Sequence, residues 1–190
     1  MELFGSYTSP FVRHCRIALL ETKTKFSLTE TDFETSGKLS PAKKVPFLHH
    51  NDVRLNDSTS ILQYVRTKAE ERFFADTKDF DQYCLVNTAM DAAINIFLLE
   101  KDGIKSLQAP YLQRQQERIN DILQLMEEKD HAVAYEGPHP FSDGELRLGC
   151  FLSWGLFRQR FNLDKYPRLE AFVDKLNDYP YFADTDPSKA

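Results

Sequence analysis

GSYTSPFVRHCRIAL, residues 5–19, is the stretch on which the architecture turns. The apolar residues ahead of it, within Met1–Ser6, read as a short strand. Ser6-Tyr7-Thr8-Ser9 is a hydroxyl-rich connection, and Pro10 suits a first helical turn, where the N–H it lacks would have no partner anyway. Downstream, Phe11, Cys15, Ala18 and Leu19 fall near one face with Val12 flanking them, the spacing of a helix with one buried side. A second strand is expected over Phe26–Asp32, then a polar, Gly-containing connection over Glu34–Pro41. Two short strands, Pro46–His49 and Val53–Leu55, flank the turn-prone His50-Asn51-Asp52. A helix opening at Asn56-Asp57-Ser58 carries Ile61, Leu62 and Val65. The order is therefore βαβ, an irregular segment, then ββα.

From Asp79 onward the pattern is helical. Asp79–Lys101, Pro110–Lys129, Ser142 to about Phe161, and Pro167–Asn177 each repeat apolar residues at helical spacing. The turn EGPHP, residues 136–140, separates the second from the third, and YPYFADTDP, residues 179–187, follows the last. This divides the chain into an α/β domain over 1–70, a connection over 71–78 and an all-helical domain over 79–190.

Composition narrows the function classes. The chain has 190 residues, 42% hydrophobic and 28% charged, with 15 Phe and 8 Tyr, enough to build a core without disulfides. Three cysteines in no metal-binding pattern fit a reducing compartment, here the cytoplasm. MELFGSYTSP is not a signal peptide, and no apolar run approaches the roughly 18 residues of a membrane span. A net charge of −5, with Lys43-Lys44 as the lone adjacent basic pair, argues against nucleic-acid binding.

Four motifs in order carry a resemblance to the glutathione transferase superfamily: GSYTSPFVRHCRIAL, KKVPFL (43–48), LNDSTSILQYV (55–65) and FSDGELRLGCFL (141–152), with YPYFADTDP resembling the family's tail. The opening resembles serine-type transferases of the bacterial and tau-like kind. The resemblance implies a thioredoxin-like N-terminal domain that holds glutathione, an all-α C-terminal domain, a homodimer, and conjugation of glutathione to a small, apolar electrophile. A member that kept the fold but only binds or assembles is the alternative. It also implies site residues. Ser9 would stabilise the thiolate, with Tyr7 and Thr8 as neighbouring hydroxyls. Val45, before a cis Pro46, would pair its backbone with glutathione, and Lys44 would reach the glycyl carboxylate. Asp57 and Ser58 would hold the γ-glutamyl end.

The chemistry asks little of the protein. A free thiol of pKa about 8.5 is only about 3% ionised at pH 7. One hydrogen bond to the charged sulfur contributes about 1.5–3 kcal/mol, or roughly one to two pKa units. A helix N-terminus adds favourable potential. Local sequence alone leaves other roles open: Ser9 as a helix cap, Pro46 as a strand-opening proline, Lys44 as a surface residue, Asp57-Ser58 as a cap. Cys15, Cys84 and Cys150 read as core, and His14 as exposed. His49-His50 has no third metal ligand, Ser142 to Glu145 is a capping box, and Trp154 and Phe157 read as core rather than pocket. The electrophile is expected between the loop after the first strand and the helix holding Met90 and Ile94.

Overall fold

In the computed structural model, which describes residues 1–105, 109–131 and 137–189, the first third is a four-stranded mixed sheet flanked by helices. Its strands are β1 (Glu2–Gly5), β2 (Ser27–Glu30), β3 (Phe47–His50) and β4 (Val53–Leu55), in the order β2-β1-β3-β4. β1 runs parallel to β2 and antiparallel to β3, with Leu3 opposite both Leu28 and Leu48. Helices α1 (Pro10–Glu21) and α3 (Ser58–Lys68) share one core with Leu3 and Leu48, made of Val12, Cys15, Leu19, Ile61, Leu62 and Val65. Side chains alternate across a strand, so the neighbours Phe4 and Phe47 point the other way, their rings stacked 4.5 Å apart. This is a thioredoxin-like N-terminal domain joined to a helical C-terminal part.

The segment expected to be irregular contains a short helix, α2 (Phe33–Leu39). Local bonds make it: the Asp32 carboxylate accepts from the Thr35 N–H at 2.7 Å, and Lys38 pairs with Glu34 one turn back at 2.6 Å. Together they outweigh Gly37 in the helix interior.

The helical half comprises α4 (Thr77–Lys101), α5 (Pro110–Glu127), α6 (Asp143–Phe157), α7 (Pro167–Asn177) and α8 (Pro180–Asp184). α4 starts where the Asp76 side chain accepts from the Asp79 N–H, and α6 starts at a full capping box between Ser142 and Glu145. α6 ends at Phe157, earlier than the apolar pattern suggests. In the EGPHP turn, Glu136 lies outside the described residues. The cores of the two halves interlock: Ile17 of α1 lies in the helical core, and Tyr83 of α4 lies in the α/β core. Cys84, expected in the core, is exposed on α4, whereas Cys15 and Cys150 are buried. No described helix is long and apolar enough to cross a membrane.

A buried charge network spans that junction. Arg66, at the end of α3, makes a two-pronged contact with Asp143 of α6 at 2.9 and 3.0 Å, and also donates to Glu21 of α1 at 2.5 Å. His14 of α1, expected at the surface, is fully buried, with Nε2 2.9 Å from Asp143 Oδ1. Its exposed reading fails because α6 covers that face of α1. Burial opposes ionisation of Asp143, but the His14 hydrogen bond and the Arg66 charge hold its carboxyl below the ordinary value. Burial and the nearby Arg147 cation push His14 down to about 4, so the ring is neutral at physiological pH.

A neutral buried histidine ties stability to pH. The unfolded chain takes a proton on His14 near 6.5 and the folded chain only near 4, so stability is full above about 6.5 and falls as pH drops toward 4. The size is on the order of 3 kcal/mol. Urea midpoints should fall in the wild type as pH is lowered from 7.5 to 4.5, and fall less in His14→Gln. Identical slopes would show that His14 does not titrate between the two states.

Candidate functional site

A cleft of about 620 Å³ opens between the two halves, bounded by the loop after β1, the segment before β3, and the facing sides of α4 and α6. Of the residues expected at a site, Ser9, Lys44 and Val45 line it.

Ser9 sits at the N-cap of α1, where its Oγ accepts from the Val12 N–H at 3.4 Å. A hydroxyl has one proton to give and two lone pairs to receive, so this bond leaves the O–H free to donate. Capping and thiolate stabilisation are therefore compatible roles for one side chain. A tight turn places the serine, with the Ser9 N–H donating to Ser6 O at 3.1 Å. The neighbouring hydroxyls fare differently. Thr8 lines the cleft, but its Oγ1 lies 3.1 Å from Ser6 Oγ and accepts from Arg158 Nη2 at 3.0 Å. The Tyr7 ring packs beneath the Arg16 guanidinium, 5.0 Å from its centre, and Tyr7 does not line the cleft.

The peptide bond between Val45 and Pro46 is cis. Pro46 is buried behind Val45, which is half-buried at the cleft wall. Lys44 donates to Asp57 at 3.0 Å; both side chains are about half exposed, so the pair is worth well under about 1 kcal/mol. Asp57 also caps α3 through the Thr59 N–H at 2.8 Å. Burial raises its carboxyl, but the Thr59 amide and Lys44 together bring it below the ordinary value. Asp57, Ser58 and Pro46 do not line the cleft; the pairing turns Lys44 toward Asp57, while Lys43, with no carboxylate partner among the described residues, lines the wall beside Lys44.

Ser58 is buried at the start of α3, and its hydroxyl accepts from Arg147 Nη2 at 3.2 Å. Arg147 is wholly buried, stacks over Tyr83 and donates to its hydroxyl, and its Nε and Nη1 have no partner among the described residues. A buried guanidinium without a carboxylate is costly, and here it puts positive potential behind the N-terminus of α3. Sequence pattern singled out neither Arg147 nor Arg158, because each lies inside a helix-like run where an arginine reads as surface.

The far wall is apolar: Phe11, Ile94, Phe97, Leu98 and Trp154. Trp154 is buried yet forms part of this wall, its ring set edge-on to Phe97 at 5.8 Å, so core and pocket are one surface here. Phe157 is exposed rather than core. On α4, Ile94 faces the cleft, whereas Met90 is fully buried and does not line it. No group of three or more His, Cys, Asp or Glu suited to a metal occurs among the described residues.

Residues 3–73 match the family model described as glutathione S-transferase, N-terminal domain. A search of curated proteins finds no match. Among solved structures, a glutathione S-transferase from Methylobacterium radiotolerans in complex with glutathione sulfonate is 22% identical, with a TM-score of 0.83 over 98% of this chain and 94% of that one. One from Methylobacillus flagellatus with glutathione bound is 23% identical, with a TM-score of 0.82 over 98% of both chains. A glutathione transferase family member from Pseudomonas fluorescens with bound glutathione is 23% identical, with a TM-score of 0.78 over 98% of both.

The caps can be tested without any ligand. Removing the side-chain oxygen in Ser9→Ala or Asp57→Ala should lower folding stability by about 1 kcal/mol each, the usual cost of a lost N-cap. Denaturant midpoints would measure this, and a negligible loss at Ser9 would mean that its long cap bond carries little.

Proposed function

We propose that the protein is a glutathione transferase whose Ser9 hydroxyl keeps the bound thiol ionised, a reading supported by the match of residues 3–73 to the glutathione S-transferase N-terminal domain model and by the likeness of the whole fold to solved glutathione transferases. The observation that carries this reading is the position of Ser9: on the cleft wall, at the N-terminus of α1, with its proton uncommitted. Glutathione lies along the cleft with its backbone against Val45. Its γ-glutamyl carboxylate faces the N-terminus of α3, where Ser58 and the Arg147 charge behind it favour an anion, and its amino group meets Asp57. Lys44, which bridges to Asp57 without ligand, is exchangeable because the pair is weak. Either Lys44 or the adjacent Lys43 takes the glycyl carboxylate. The thiol proton leaves to solvent, the sulfur remains as thiolate beside Ser9, and its electron pair forms the new bond to the electrophilic carbon as that carbon's leaving group departs with the bonding pair. The apolar wall from Phe11 to Trp154 receives the electrophile's body. A cytoplasmic homodimer that clears reactive electrophiles completes the proposal.

Ser9→Ala should raise the pKa of bound glutathione by about one to two units and lower kcat/KM near pH 6.5 by about 10- to 100-fold, the worth of one hydrogen bond to a charged sulfur. Thiolate ultraviolet absorbance against pH reads the first quantity. An unchanged thiol pKa in Ser9→Ala, with a shift in Thr8→Ala instead, would transfer the role to Thr8. Glutathione binding with no turnover of any electrophile would favour a binding or assembly protein.

A further inference from the structure

Beside the thiol position, the helical wall carries a cation that the structure leaves unneutralised. Arg158 follows the last residue of α6 and lines the cleft one turn beyond Trp154. Its Nη2 donates to Thr8, the neighbour of Ser9, at 3.0 Å. Its guanidinium lies 5.4 Å from the Phe97 ring centre and 4.8 Å from that of Phe157. Its Nε is buried with no partner, and among the described residues no carboxylate lies within 4.0 Å of it. The nearby Arg160 differs, being paired with Glu100 at 2.6 Å. Lys101 lines the same wall, 4.8 Å from the Phe97 ring centre and, among the described residues, also without a carboxylate. The cleft's acids lie elsewhere: Glu30 and Asp32 on the α/β wall, and Asp91 on α4. A guanidinium on a cleft wall, held against aromatic rings and with no carboxylate beside it among the described residues, is suited to receive an anion's oxygens.

We propose that the electrophile carries a carboxylate, which Arg158 binds with help from Lys101, while its apolar body lies between Ile94, Phe97 and Trp154. This rests on the glutathione reading above, since the sulfur at Ser9 fixes where the electrophile's other end must fall. Arg158 is thus the residue that selects anionic over neutral electrophiles. An apolar substrate, expected from resemblance alone, would leave this charge uncompensated in the bound complex.

The test uses unreactive product mimics, so that it needs no turnover. S-(4-carboxybenzyl)glutathione and S-benzylglutathione are titrated against the full chain by calorimetry at low salt. The carboxylate form should bind about tenfold tighter or more, the size expected of a charge-assisted hydrogen bond. In Arg158→Gln the two affinities should come within about twofold, and Arg158→Lys should keep part of the preference. Equal affinities in the wild type, or an unchanged preference in Arg158→Gln, would overturn the proposal and leave the glutathione reading intact. Failure of both mimics to bind the wild type would remove the glutathione reading, and this proposal with it. Binding of S-benzylglutathione by each variant also shows that the variant is folded.

Discussion

The charge of Arg66 is the constraint around which the two halves are fitted. A guanidinium that is only 2% exposed must find anions or unfold the region around it, and it finds three: Asp143, Glu21 and Glu71. Those partners come from the start of α6, the end of α1 and the connection after α3. Satisfying one cation therefore sets how the helical half sits on the α/β half. Tyr179, ahead of α8, joins by donating to Glu21 at 2.8 Å. Replacing such a set with matched apolar groups can be neutral, whereas losing one member strands a charge at a cost of about 3–5 kcal/mol. The cleft shares α1 and α6 with this network, so the contacts that align the halves also fix two of its walls.

Much of this was legible in the chain. The apolar periodicities located the strands and the long helices, and the Pro167–Asn177 helix is the one read from the sequence. The motifs led to the thioredoxin-like fold. The misreadings have a common origin: each concerned a residue whose surroundings come from far along the chain. His14 follows an arginine on a helix and looks solvated until Asp143, 129 residues later, closes over it. Arg13 beside it is likewise buried, against the C-terminal segment. Cys84 shows the converse, an apolar-looking helical position that no other element covers. The short α2 was hidden differently, because capping and a surface ion pair, not apolar spacing, hold it.

The site divides along the same line. Ser9, Val45 and Asp57 sit in motifs whose local chemistry already marks them: a hydroxyl before a helix, a residue before proline, an acid at a cap. The helical wall has no such local grammar. Trp154, Arg158 and Arg147 gain meaning from what stands opposite, so the α/β side of the cleft is readable from sequence and the helical side is not.

The hold on α1 has a consequence for how the protein comes into being. Arg13 donates to Ser153 at 2.6 Å, to Phe182 O at 2.8 Å and to Thr185 at 3.3 Å, with its guanidinium 3.8 Å above the Phe182 ring. A ribosome adding roughly 5–20 residues per second delivers Phe182 many seconds after Arg13 has emerged. Throughout that interval the first helix, which carries the Ser9 loop at its head, lacks its covering, and the nascent α/β half must shelter a bare arginine and an open apolar flank. The N-terminal domain is thus translated first but finished last.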